Sequence, residues 1–177
     1  MRVIWFLLWV LSMCSSCGDS GDKIATVSLA EEVDTESRDS IFYIKDGGMS
    51  FQVLIPAEVL VHGPPSLRFN SSSGEYEILD AAKQVWLLFS PETRPWMEIL
   101  RQIEDNDLFK IDWVEKSDNR ALYNRILPDS VRYDQMIVAM FESENQRLLV
   151  TSSPAGEHSE SDIKKMVQIL STLKLQE

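Results

Sequence analysis

Cys14 and Cys17 are the only thiols in the 177 residues, and His62 and His158 are the only imidazoles. Side chains of these two types carry much of the nucleophilic and metal-binding chemistry open to a protein. The two histidines lie in different halves of the chain, and neither has a second ligand at metal-binding spacing. His158 follows Glu157, but no His-Glu-x-x-His pattern is completed. Each histidine reads as surface or core filling, although His158 falls in a loop where a site could form. Ser152-Ser153-Pro154 lacks the Gly-x-Ser-x-Gly elbow of a serine nucleophile and reads as a strand-to-helix loop. Gly47-Gly48 has no Lys-Ser/Thr pair after it, so it is a turn and not a phosphate cradle. Asp105-Asn106-Asp107 opens like a calcium loop but lacks the required Gly and closing Glu, which leaves a helix stop. Acids are plentiful, 28 in all, and Glu75 and Glu77 share one strand face. A solvated face explains them better than the two opposed carboxylates of a glycosidase. No metal site and no cofactor is expected, and catalysis is the weaker reading.

Cys17 stands at the end of Leu11-Ser12-Met13-Cys14-Ser15-Ser16-Cys17. Arg2 gives the chain a positive start, and Val3 to Leu11 carry no charge. That apolar run is far shorter than the ~20 residues of a membrane span, so it reads as an export signal. Small residues directly before a cysteine resemble the lipobox of bacterial lipoproteins. The resemblance implies removal of residues 1–16, a diacylglyceryl group on Cys17 and an acylated (palmitate-type) N-terminus. Cys14 departs from the pattern, since an aliphatic residue usually stands there. A cut before Cys14 is the rival, with Leu11 well placed but Met13 large for its site. The location implied is the bacterial cell envelope, on a membrane through the lipid anchor, with the outer membrane favoured over the inner.

Loss of the signal removes one positive charge, Arg2, and takes the formal net charge from −11 to −12. One thiol then remains and lipid consumes it, so no disulfide and no cysteine nucleophile is left. A surface this acidic repels phosphate backbones, which argues against nucleic acid as a partner. Residues 17–39 combine the lipidated cysteine with an acidic, weakly apolar stretch that reads as a flexible tether. Within it, Ala25 to Leu29 alternate and could add an edge strand. Asp39-Ser40-Ile41 and Asp129-Ser130-Val131 match a three-residue bacterial O-glycosylation pattern, for which chance is the stronger explanation.

Residues 40–177 read as one domain of strands and two helices. Asp46-Gly47-Gly48 between two β-rich runs marks a hairpin, ended by Pro56. Strands are expected over residues 66–70, 75–79, 84–89, 109–114, 120–127, 133–141 and 147–151. Thr93 is expected to cap a helix with Pro95 in its first turn and Trp96, Ile99, Leu100 and Ile103 as its stripe. Ser159 and Asp162 approximate a capping box before Ile163, Met166, Val167, Leu170 and Leu173, with Lys174 at the helix's negative end. Trp86, Trp96 and Trp113 fall at apolar positions and read as core, with a sugar-stacking platform as the second reading.

This order predicts an α+β fold: an antiparallel sheet with two helices packed on it. Phe51-Gln52-Val53-Leu54-Ile55-Pro56, a strand ending in Ser152-Ser153-Pro154 and the closing amphipathic helix together resemble the PsbP-like fold over residues 41–173. A cystatin-like fold is the alternative. Neither implies an activity. The function expected is a non-catalytic binding or assembly module meeting a protein or glycan partner. The alternatives are a hydrolase acting on envelope polymers and a structural subunit of an envelope complex.

Overall fold

The computed structural model describes residues 39–46, 49–60, 63–128 and 133–176. Cys14, Cys17, the acidic stretch to residue 38, Gly47-Gly48, His62 and Asp129-Ser130-Val131 lie outside the described residues.

β1 (Ser40–Asp46) and β2 (Met49–Ile55) pair antiparallel, with Ser40 opposite Ile55 and Asp46 opposite Met49. Alternation drives the pairing: Phe42, Ile44, Phe51, Val53 and Ile55 point into the core, while Ile41 and Tyr43 face outward. Pro56 lacks the N–H that would extend the ladder, and the chain leaves through a 3₁₀ turn at Ala57–Val59. β3 (Ser66–Asn70) and β4 (Glu75–Leu79) follow as a second hairpin. Gly74 takes φ +73° at its turn, a conformation that costs a side-chain-free residue nothing. After β5 (Trp86–Pro91) come α1 (Trp96–Glu104), β6 (Lys110–Lys116), β7 (Arg120–Ile126), β8 (Tyr133–Glu142), β9 (Arg147–Ser152), α2 (Glu160–Leu170) and β10 (Lys174–Leu175).

The fold is mixed α+β, but its strands form two antiparallel sheets where the sequence suggests one. The smaller has the order β1-β2-β10, and the larger has the order β3-β4-β5-β9-β8-β7-β6. The smaller sheet is the β1–β2 hairpin, and it gains β10 because α2 ends earlier than its apolar spacing suggests. Ser171 is its C-cap, Thr172 hydrogen-bonds Leu54 through its side chain, and Lys174 and Leu175 then pair with Gln52 and Phe51. Lys174 is therefore a strand residue and does not sit at a helix terminus.

One face of the large sheet carries Tyr76, Ile78, Leu87, Phe89, Ile137, Ala139, Leu148 and Val150. These pack against the small sheet and against Ile163, Met166, Ile169 and Leu170 of α2. Phe51 and Phe89 stack across this layer at 5.0 Å. The capping box forms as expected: Ser159 Oγ accepts the Asp162 N–H while the Asp162 carboxylate accepts from the Ser159 N–H. Ile169 is fully buried and belongs to the helix's apolar face, although the sequence stripe omits it. On the opposite face, Ala121, Val138, Met140 and Leu149 lie under Ile99 and Leu100 of α1.

α1 begins later than Thr93. The Glu92 carboxylate accepts the N–H groups of Thr93 and Arg94 at 2.8 and 2.9 Å, which holds these residues outside the helix. Pro95 becomes the N-cap in an extended conformation, and its carbonyl accepts from Glu98 and Ile99. Asp105 caps the other end, as the Asp105-Asn106-Asp107 stop suggests.

Candidate functional site: a recess at one end of the large sheet

β8 outruns β7. Their last pair is Arg120 with Ala139, yet β8 continues to Glu142, where it pairs with Arg147 of β9. Past Ala139 the β7 side of β8 meets the Ser117–Asn119 turn, with the Met140 N–H donating to the Asn119 carbonyl at 2.8 Å. The first turn of α1 bounds one side of this overhang, and Leu175 of β10 bounds another. A recess of about 550 Å³ results. Trp96 and Phe141 are its half-buried aromatic walls, and Asp118, Asn119, Glu142 and Arg147 supply polar groups. Concavity, aromatic surface and a few convergent polar side chains are the usual ingredients of a binding site.

Arg147 fastens this recess together. Its Nη1 donates to the carbonyls of Thr93 and Arg94 at 3.0 and 3.2 Å, and its Nε donates to Glu142 at 3.2 Å. The guanidinium thus joins the segment before α1 to the β8–β9 ladder. Its five donors in a planar fork suit this bridging, which a lysine could not reproduce. Beside it, Glu92 is pulled down to about 2, chiefly by the hydrogen bonds from the Arg94 side chain. The start of α1, and with it Trp96, is held by two arginines and one nearly enclosed carboxylate.

All three tryptophans of residues 17–177 are half-buried, so the expectation that they form core is corrected. Each indole N–H is engaged at the surface: Trp86 with Glu77 at 3.2 Å, Trp113 with Glu104 at 3.0 Å, and Trp96 with the Ser117 carbonyl at 2.9 Å. Glu77 also accepts from Asn70, so this carboxylate positions Trp86 and does not oppose a second catalytic acid. Glu75 and Glu77 are both half-buried on β4.

His158 is 3% exposed, which makes it core filling and not a surface residue. Its Nε2 donates to the Ser153 carbonyl at 3.1 Å, leaving Nδ1 bare and without a protein partner. Burial lowers its proton affinity and so favours the neutral ring. The fold brings Ser152, Ser153 and His158 into one region but does not arrange them as nucleophile and base. Ser152 Oγ accepts from the Ile137 N–H, and the bond to His158 uses the Ser153 backbone, not its hydroxyl. No group of three or more His, Cys, Asp or Glu side chains is placed to hold a metal among the described residues.

Sequence reasoning did not single out Asp118, Asn119, Glu142 or Arg147. Their signal is topological. In an up-and-down run of strands, the β6–β7 and β8–β9 turns fall at the same end, which gathers the residues beside both turns. No known protein family, curated protein or solved structure matches the chain.

Proposed function

We propose that the protein is a lipid-anchored lipoprotein of a bacterial envelope, joined to its membrane through Cys17. Its folded part is a non-catalytic binding module, and the recess beside Trp96 is where it meets a partner. The lipobox-like sequence supports the anchor. The single observation that carries the binding role is the recess itself: about 550 Å³, with aromatic walls and with Arg147 tying Glu142 to the segment before α1. A large antiparallel sheet closed by a C-terminal helix is compatible with a PsbP-like arrangement, and the pairing of β10 with β2 is the feature by which a cystatin-like alternative would be compared.

A second reading draws on Asp118 and Glu142, two carboxylates that line the same recess, as the acids of a hydrolase of envelope polymers. It is the weaker one because the Glu142 carboxylate is already committed to Arg147.

The test is site-specific photo-crosslinking in intact cells. A photoreactive residue at Asn119 should give discrete adducts with one partner, whereas one at Lys164, on the outer side of α2, should give none. Adducts from position 164 with none from 119 overturn the recess as the meeting place. Loss of polymer cleavage on Asp118→Asn would establish the hydrolase instead.

A further inference from the structure

The two tryptophans outside the recess share an arrangement. Lys83 Nζ lies 5.0 Å from the centre of the Trp86 ring, whose N–H holds Glu77. Lys116 Nζ lies 4.5 Å from the centre of the Trp113 ring, whose N–H holds Glu104, and the same lysine reaches Glu104 at 2.7 Å. In both, an indole face carries a cation and a carboxylate stands nearby. The physics is the attraction of positive charge to the electron-rich ring face, greatest for tryptophan, reinforced by the acid.

Trp96 has the ring, and Asp118 lines the same recess, but it has no cation. Its N–H holds the Ser117 carbonyl, and the next residue is Asp118. Among the described residues no lysine or arginine of the chain lies over the Trp96 ring, and Asp118 is in no ion pair. Arg147, the base within the recess, is committed to two carbonyls and Glu142. Among the described residues the uncommitted formal charge at this recess is therefore the Asp118 carboxylate, and the half-buried Trp96 lines the same recess.

We infer that the recess takes an ammonium or guanidinium group, carried as a lysine or arginine side chain on a basic segment of a partner protein. The inference rests on the recess being the binding site and adds the chemistry of what fills it. A peptide fits better than a lone small cation because about 550 Å³ exceeds what one such group occupies. The net charge of −11 draws a basic partner from a distance, an effect that salt weakens. A neutral sugar could stack on Trp96, but Asp118, in no ion pair among the described residues, and the acidic surface give it no advantage.

The experiment follows the indole N–H resonances of Trp86, Trp96 and Trp113 in the full-length protein held in neutral detergent. The probes are an acetylated tetra-arginine amide, a tetra-glutamine peptide and a neutral N-acetylglucosamine trimer. Tetra-arginine should move the Trp96 signal and leave those of Trp86 and Trp113, which already carry lysines. Asp118→Asn should weaken that binding about fivefold, the upper end for an exposed ion pair, since the Trp96 ring is left in place. Asp112→Asn, an equal change of charge on an exposed position of β6, should leave it within about twofold, since charges further away than a Debye length are screened. Equal weakening by the two variants means diffuse attraction only and overturns the inference. A Trp96 response to the sugar but not to tetra-arginine also overturns it while leaving the recess as a binding site. If no probe moves Trp96 and Asn119 still cross-links a partner, the cation is wrong and the recess stands. If neither occurs, both fall.

Discussion

Replacing Glu92 by Gln tests whether the wall that carries Trp96 is held by charge. The Glu92 side chain is 7% exposed and accepts four hydrogen bonds: two from the backbone of Thr93 and Arg94 and two from the Arg94 guanidinium. Glutamine keeps the shape and an acceptor oxygen but removes the charge. The fall from 4.5 to about 2 converts to roughly 3 kcal/mol at ~1.4 kcal/mol per tenfold change in proton affinity. The Arg94 side chain is 40% exposed, so water screens much of this, and about 1–2 kcal/mol is expected. The sign follows from linkage. Glu92 binds its proton less readily folded than unfolded, so its contribution is complete above pH 4.5 and is lost as pH falls toward 2. Denaturant titrations of both proteins at several pH values measure the difference. The gap should be about 1–2 kcal/mol at neutral pH and should close by about pH 2. A gap that is constant across this range, or absent at neutral pH, refutes the reasoning, because only the ionised carboxylate distinguishes the two side chains.

Three further outcomes are expected. Leu170→Ala should cost ~2–5 kcal/mol by denaturant titration, because Leu170 is 4% exposed in the main core, whereas Lys164→Ala, at a side chain 73% exposed, should stay within about 0.5 kcal/mol. Lys165 is a poor surface control, since it is half-buried and donates to Gln84 at 3.0 Å. His158 loses proton affinity through burial, so stability should be intact above pH 6.5 and decline below it as the unfolded chain takes the proton first; the decline should flatten in His158→Gln, as read from thermal melts between pH 7 and 5. Cys17→Ala should release the protein into the soluble fraction, and its retention in the membrane pellet after a high-salt wash would remove the lipid anchor.

Many of the strands were legible because exposure alternates along them, as in β1, β2 and β6. Residues 66–70 and 75–79 match β3 and β4 end for end, and Ser159 with Asp162 marked the start of α2. What local pattern could not show was the partner of each strand. Lys174 and Leu175 follow the helix without a break in apolar spacing, so nothing nearby reveals that they turn to pair with β2. The start of α1 was misplaced for a related reason. Thr93 is a good cap by type, but the Glu92 carboxylate captures its N–H first. The tryptophans were misread because apolar spacing does not distinguish a buried indole from one that keeps its N–H on a surface acid. The recess was hidden because its residues come from two turns, a helix start and a strand end that only the topology brings together.

The placement of the recess relative to the chain's N-terminal side bears on the proposed anchor. Gln146, in the β8–β9 turn, accepts from the Ser50 N–H and donates to the carbonyls of Ser50 and Gln176. The recess end of the large sheet is thereby tied to the start of β2, which is opposite Lys45 and Asp46 at the end of β1. Leu175, which lines the recess, pairs with Phe51 in the same region. Ser40, where the chain joins the fold, is at the other end of β1, opposite Ile55. At ~3.3 Å per residue, β1 separates the two by about 20 Å. A body attached through the residues before Ser40 therefore holds its recess at the far end of the β1–β2 hairpin from the attachment. With the proposed anchor, the attachment and the recess lie at opposite ends of the β1–β2 hairpin. The hairpin register makes the proposed lipid anchor and the proposed partner-binding recess mutually compatible.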